Sequence, residues 1–149
     1  MTSFPKRGRR FGVLASVCDN RHSTQTHAMH GLHLLVDLDG CATDALWRDA
    51  TALTARCEAI AIEAGLTVVG RHWHAFGGEG GVTGVLLLAE SHLAVHTWPE
   101  LHAATFDIYV CNVSADNSAR AEAVCLALLE LFRPERSQIR RIERGAAPR

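Results

Sequence analysis

Residues 82–111 read "VTGVLLLAESHLAVHTWPELHAATFDIYVC" and predict three successive β-strands. Residues 82–91 are almost continuously apolar, and residues 92–98 alternate between apolar and polar side chains until Pro99 interrupts them. Residues 102–111 then alternate again. Because connections this short join neighbouring antiparallel strands, the stretch predicts the centre of an antiparallel sheet.

The preceding sequence predicts a first strand, a helix and a second strand. "GLHLLVDLDGC" (31–41) and "LTVVGRHWHAF" (66–76) have the composition of strands. Between them, Thr43 or Asp44 caps a helix that ends at Gly65. The glycines of residues 77–81 predict a flexible loop after the second strand.

The following sequence predicts a second helix and a final strand. The helix opens at Ser114 or Asp116 and is stopped by Pro134, and residues 137–144 form a polar edge strand. The resulting order, β-α-β-β-β-β-α-β, predicts an α+β fold. We expect a two-layer sandwich in which two main helices cover one face of a mostly antiparallel sheet.

The chain divides into a predicted domain over 29–145, a flexible N-terminal extension over 1–28 and a short tail over 146–149. Its formal net charge of −1 indicates neither nucleic acid nor a membrane surface as a partner. No apolar run approaches the roughly 20 residues that span a bilayer, and the basic start lacks a signal-peptide cleavage site. We therefore predict a cytoplasmic protein.

The cysteine and lysine content limits the chemistry. The 5 cysteines are odd in number and form no CxxC pair, so we predict neither a disulfide framework nor a structural zinc site, and Cys57 is expected in the core. The only lysine is Lys6, in the N-terminal extension, where it is a poor candidate for a Schiff base with pyridoxal phosphate. If this chain catalyses a reaction of an amine or amino acid, it needs an electrophile other than pyridoxal phosphate.

Two histidines, His72 and His74, point to one face of the second strand and could bind a metal ion. A third ligand at useful spacing is missing, and there is no HExxH pattern. We therefore interpret them as structural and predict no metal.

Ser91 lies at the junction of two predicted strands. His96 is too far along an extended strand for a direct hydrogen bond to it, and no GxSxG elbow surrounds the serine, so a Ser–His hydrolase is not supported. A serine at such a junction can instead attack the carbonyl carbon of the preceding residue, which here would cut the chain between Glu90 and Ser91. Cys111, at a strand end, reads as structural when taken alone.

"ESHLAVHTWPE" (90–100) resembles the signature of the prokaryotic type of S-adenosylmethionine decarboxylase, a pyruvoyl enzyme. "HGLHLLVDLDGC", "GVTGVLLLAESH", "FDIYVC" and "IERG" also resemble segments of that family, so the resemblance covers about 29–145.

This resemblance implies a self-generated pyruvoyl group. Ser91 would be its precursor and form the Schiff base with substrate, and His96 would be the proton acceptor in processing. Cys111 would be the proton donor in catalysis and Glu100 a substrate-binding carboxylate. The family also implies a homodimer of cleaved protomers, with S-adenosylmethionine as substrate and a product that serves spermidine synthesis.

Two departures from the family pattern leave alternatives open. Thr83 stands where the family has a serine, and the loop after Phe76, the candidate aromatic contact of the substrate, lacks a proline. Glu79 in this loop could meet a cationic side chain, so arginine or ornithine is the alternative substrate. A second alternative is an unprocessed, non-catalytic binding or regulatory subunit.

Overall fold

The computed structural model describes residues 30–42 and 45–145. The predicted N-terminal extension and C-terminal tail lie outside these ranges. Eight main elements follow the predicted order: β1 (His30–Asp39), α1 (Ala50–Glu63), β2 (Val68–Ala75), β3 (Val82–Leu88), β4 (Ser91–Trp98), β5 (Ala103–Cys111), α2 (Ser118–Phe132) and β6 (Arg136–Gly145). Short 3₁₀ turns at Ala45–Arg48 and Pro99–Leu101 precede α1 and β5.

The strands form one antiparallel sheet in the order β2-β3-β4-β5-β1-β6. Consecutive strands β2 to β5 are neighbours, whereas β1 lies between β5 and β6. The predicted antiparallel centre is thus confirmed, and the fold is the expected α+β two-layer sandwich.

One face of the sheet packs against both helices, because alternate residues of the central strands are apolar. Leu93 and Val95 of β4 and Phe106 and Ile108 of β5 are buried on this side. The helices contribute a stripe of apolar residues at three- and four-residue spacing: Leu53, Cys57, Ile60, Ala61, Ala121, Val124, Cys125, Leu128 and Phe132. No described helix covers the opposite face, which we call the open face.

The start of α1 differs from the prediction. Thr43 and Asp44, the expected caps, lie outside the described residues. The helix begins at Ala50, and the side chain of Asp49 caps it by accepting hydrogen bonds from the N–H groups of Thr51 and Ala52 at 2.9 and 3.0 Å. Trp47, in the 3₁₀ turn before it, is fully buried against Phe132.

The second helix also begins later than predicted. Its N-cap position is Asn117, neither Ser114 nor Asp116. The Asp116 carboxylate nevertheless accepts a hydrogen bond from the Ser118 N–H at 2.9 Å, which lowers the pKa of Asp116. Asp116, one of the two predicted caps, therefore does accept a hydrogen bond from the first helical residue, but the N-cap position is one residue later.

Three described cysteines are core residues. Cys41, Cys57 and Cys125 are buried, and burial raises the pKa of the Cys57 thiol to about 12. The prediction that Cys57 lies in the core is confirmed. Neither of the two main helices is long and apolar enough to cross a membrane within the described part of the chain.

Thr97 is the only polar residue among those described that is classed as buried. Its hydroxyl accepts a hydrogen bond from the Val82 N–H at 2.8 Å and donates one to the Trp47 carbonyl at 2.8 Å. It thus ties β3 and the 3₁₀ turn to β4. We expect Thr97→Val to lower the free energy of unfolding by about 1–3 kcal/mol, because the Val82 donor is left buried without this acceptor.

Urea denaturation measures this change. Thr51→Val, at an exposed position in the first turn of α1, is the matched control and should change the unfolding free energy by less than about 0.5 kcal/mol. Equal losses in the two variants would contradict the assigned role of the buried hydroxyl.

Candidate active site

The Glu90–Ser91 peptide bond lies where the β3–β4 hairpin ends its turn. Leu88 pairs with Ser91, so only Ala89 and Glu90 form the loop. Glu90 is exposed, and its Oε2 accepts a hydrogen bond from Ser114 Oγ at 2.7 Å. The bond that the sequence analysis predicts to be cleaved therefore lies at a hairpin tip, and Ser91 is the half-buried first residue of a central strand.

Cys111 ends β5 at the same end of the sheet as Ser91. The β4–β5 register pairs His92 with Tyr109, so one further step sets Ser91 level with Val110. Cys111 is half-buried, unlike the three core cysteines. The structure thus brings Ser91, the predicted pyruvoyl precursor, and Cys111, the predicted proton donor, to one end of neighbouring strands.

A cavity of about 330 Å³ lies at the other end of these strands. Phe76, Thr83, His96 and Glu100, all proposed from the sequence, line it together with Trp98. Its volume falls within the roughly 300–1,000 Å³ of small-molecule sites. Two aromatic rings, an imidazole, a hydroxyl and a carboxylate therefore meet in a space that suits a small polar ligand with a flat ring.

Thr83 and His96 are directly opposite each other on β3 and β4. Thr83 Oγ1 lies 2.5 Å from His96 Nδ1, within hydrogen-bond distance. The threonine thus supplies the hydroxyl that the family pattern places at this position. Its contact holds the imidazole by one nitrogen and leaves Nε2 for a proton-transfer partner.

Ser91 and His96 do not meet within one chain. They are five residues apart on β4, which at about 3.3 Å per residue separates them by about 16 Å along the strand. The site residues therefore form two groups at opposite ends of the sheet: a cleavage end with Ser91 and Cys111, and a cavity end with His96.

The loop at the cavity end requires its glycines. Gly77 and Gly78 have φ values of 76° and 55°, in the left-handed region that glycine adopts at low cost. The Phe76 N–H donates to the Gly81 carbonyl at 3.0 Å and closes the loop. A Cβ at Gly81 would fall 1.9 Å from the Thr97 carbonyl oxygen, so no larger residue fits there. The predicted glycine loop is confirmed, and it sets Phe76 at the rim of the cavity.

Glu79 in this loop is already paired with a cation. Arg48 Nη2 lies 3.0 Å from its Oε2, although the Glu79 side chain is 91% exposed. Such an exposed pair contributes little to stability, typically about 0–1 kcal/mol. It nevertheless places a guanidinium where the alternative hypothesis requires the cationic end of a substrate.

Three residues of interest were missed by sequence reasoning. Trp98 lines the cavity and is 38% exposed. The sequence signal that could have identified it is its position at the end of an alternating strand. His33 and Asp107 meet His92 on the open face, although they lie on three different strands. No local sequence pattern predicts that His33, His92 and Asp107 meet.

The histidines considered for metal binding, His72 and His74, are both exposed on β2. The His74 ring makes an edge contact with Phe76 at 4.9 Å between centroids.

Comparison with known proteins identifies the relationship. The family model described as S-adenosylmethionine decarboxylase matches residues 32–145. The S-adenosylmethionine decarboxylase proenzyme of Persephonella marina is 36% identical over 120 residues, covering 79% of this chain and 84% of that protein. That of Thermomicrobium roseum is 35% identical over 124 residues, covering 77% and 93%.

A solved structure gives the same result. The crystal structure of the adenosylmethionine decarboxylase from Aquifex aeolicus superimposes with a TM-score of 0.71 at 32% identity, covering 80% of this chain and 94% of that one. The antiparallel α+β sandwich is thus the architecture of a class of decarboxylases that are made as proenzymes. This chain belongs to the S-adenosylmethionine decarboxylase family.

Proposed function

We propose that this chain is a self-processing, pyruvoyl-dependent carboxy-lyase that decarboxylates S-adenosylmethionine. The observation that carries the proposal is the position of the Glu90–Ser91 bond at the tip of the β3–β4 hairpin, in a member of this family. The product would be the aminopropyl donor of spermidine synthesis.

Processing uses the chain's own groups. The Ser91 hydroxyl attacks the Glu90 carbonyl carbon, and the acyl group moves from the Ser91 nitrogen to its oxygen, giving an ester. Removal of the Ser91 α-proton then breaks the Cβ–Oγ bond and releases Glu90 as a carboxylate. Water replaces the nitrogen of the remaining dehydroalanine, ammonia leaves, and a pyruvoyl group caps residues 92–149.

The described residues suit a group made in this way. Ser91 lines a cavity of about 340 Å³ with Glu90 and Ser114, and the described chain contains no lysine that could hold pyridoxal phosphate. The pyruvoyl group supplies a ketone for the substrate amine and an amide carbonyl that accepts electrons as carbon dioxide leaves. Cys111, at the same end of the sheet, is the proposed donor of the proton that replaces the carboxylate on the substrate.

The cavity end is the proposed binding site for the rest of the substrate. Phe76 and Trp98 offer aromatic faces on which adenine could stack, and Glu100 offers acceptors for its polar edge or ribose hydroxyls. Glu79, the residue proposed to meet a cationic substrate, is 91% exposed and is not among the residues that line this cavity, which gives no support to arginine or ornithine. These contacts favour S-adenosylmethionine over a basic amino acid.

A homodimer would join the two ends. We infer that two open faces pack together about a two-fold axis that runs across the strands between them. Such an axis places the cleavage end of one protomer against the cavity end of its partner. Each active site would then combine Ser91 and Cys111 of one chain with His96 and Glu100 of the other, which accounts for the separation within one chain.

Intact-mass spectrometry of the denatured protein tests processing. Two fragments that meet at Glu90–Ser91, the second blocked by a ketone, are expected. Release of carbon dioxide should then be observed with S-adenosylmethionine and not with arginine or ornithine. A stable uncut chain would support the unprocessed binding-subunit alternative and overturn this proposal.

We expect Cys111→Ala to cleave normally but to lower the turnover number by about 10²-fold or more, because a positioned proton donor contributes about 10²–10⁴-fold. Mass spectrometry measures cleavage, and carbon dioxide release measures turnover. Cys111→Ser, which keeps a weaker proton donor, should lie between this variant and the wild type. Full activity of Cys111→Ala would contradict the assigned role.

A further inference from the structure

Three side chains on the open face form what we call the His–Asp cluster: His33 of β1, His92 of β4 and Asp107 of β5. The Nε2 atoms of His33 and His92 lie 2.9 and 3.1 Å from the same oxygen, Oδ2 of Asp107. All three side chains are partly shielded from solvent, with exposures of 14%, 38% and 26%. The cluster therefore joins three strands through one carboxylate oxygen.

Arg144 of β6 distinguishes a hydrogen-bonded cluster from a metal site. Its Nη1 lies 3.0 Å from His33 Nδ1, and a guanidinium can only donate. His33 Nδ1 is therefore the acceptor, and Nε2 carries the hydrogen that is donated to Asp107. A metal ion would need the Nε2 lone pair, so the geometry defines a hydrogen-bonded cluster.

Tyr109 packs beside both histidines. Its ring centroid lies 5.8 Å from that of His33 and 5.9 Å from that of His92, and the Arg144 guanidinium lies 5.5 Å from it. This packing restricts the imidazole rings to orientations that face Asp107. Both hydrogen bonds are to a carboxylate, which makes them stronger than neutral ones.

His92 directly follows the residue that is processed. After the proposed cleavage, residue 91 is no longer tethered through the Ala89–Glu90 turn, and β4 begins at a new chain end. Chain ends fray unless side chains hold them. His92 is the first side chain that can do so, and its contacts are to Asp107 and Tyr109.

We propose that the His–Asp cluster holds the new end of β4 and thereby positions the processed residue 91 for turnover, with Asp107 as the positioning residue. This inference rests on the proposed function. Small displacements of a reacting group cost much of the rate, up to about 10²-fold for 1 Å. Loss of the cluster should therefore lower turnover without preventing cleavage.

The test compares Asp107→Asn with wild type. Intact mass measures cleavage, and carbon dioxide release measures the turnover number and KM. Hydrogen exchange at the amides of residues 92–95 measures how firmly the start of β4 is held. We expect complete cleavage, faster exchange in this segment and a turnover number lowered by about 10- to 100-fold, with KM changed less than about twofold. Glu122→Gln, which removes an exposed carboxylate of α2 that is paired with Arg141 on the helix side of the sheet, is the matched control and should leave all three readouts unchanged.

A second pair of variants guards against misfolding of Asp107→Asn. His33→Gln keeps a donor toward Asp107 and should retain turnover within about twofold, whereas His33→Leu should reproduce the loss. Unchanged exchange and turnover in Asp107→Asn and His33→Leu would overturn the proposal, as would an equal loss in Glu122→Gln. A bound metal ion whose removal abolishes activity would also overturn it. An uncut wild-type chain would instead refute the proposed function, which the mass spectrum reports separately.

Discussion

Ser91→Ala is expected to leave one uncut chain of full mass with no decarboxylase activity. The alanine has no hydroxyl to attack the Glu90 carbonyl carbon, so neither the ester nor the ketone can form. We expect activity to fall by at least about a thousandfold, because the chemical group that carries the reaction is missing. The intact-mass spectrum and the carbon dioxide assay measure the two effects.

Ser137→Ala is the control for this variant. Ser137 is an exposed residue of β6, and its replacement should leave cleavage and turnover unchanged. Ser91→Ala should also keep the wild-type fold by circular dichroism. Cleavage at the same bond in Ser91→Ala would contradict the assignment of Ser91 as the nucleophile.

Two inactive variants, Ser91→Ala and His96→Ala, are expected to restore processing when they are expressed together. Each homodimer lacks one of the required groups. In a mixed dimer, however, the His96→Ala chain keeps its own Ser91 and would lie beside the intact His96 of the Ser91→Ala chain. About half of the His96→Ala chains should then be cut if the two chains pair at random.

Chains of different mass make this restoration measurable by intact-mass spectrometry. Separately purified variants that are mixed after folding provide the control, because exchange between stable dimers is slow. Restored cutting would support a site shared between protomers. If co-expression left every chain uncut, or if His96→Ala were cut alone, the shared site would be refuted.

The sheet could be predicted from sequence because strand alternation is a local property. Residues 92–98 and 103–111 have strand composition, and the structure has strands at those places whose residues alternate in burial. The start of α1 could not be predicted as well. Asp49 caps the helix after a turn that is held by the burial of Trp47 against Phe132, a contact from the far end of the chain.

The candidate site was predictable only in part. The resemblance identified Thr83 and His96, and the structure brings them into contact through the β3–β4 register. The separation of His96 from Ser91 was also predictable, because one extended strand carries both residues. The His33–Asp107 contact depends on β1 lying beside β5, a pairing between residues 74 positions apart that no local pattern specifies.

The position of β1 between β5 and β6 affects how the protein could refold after cleavage. After cleavage, β1 belongs to the upstream fragment, whereas both of its neighbours belong to the downstream fragment. The fragments are interleaved and cannot separate without dismantling the sheet. Before cleavage, folding is a unimolecular reaction; after it, any refolding must begin with an encounter between two chains and depends on concentration. The intact chain would thus fold readily, whereas the cleaved protein would refold much less readily once it had unfolded.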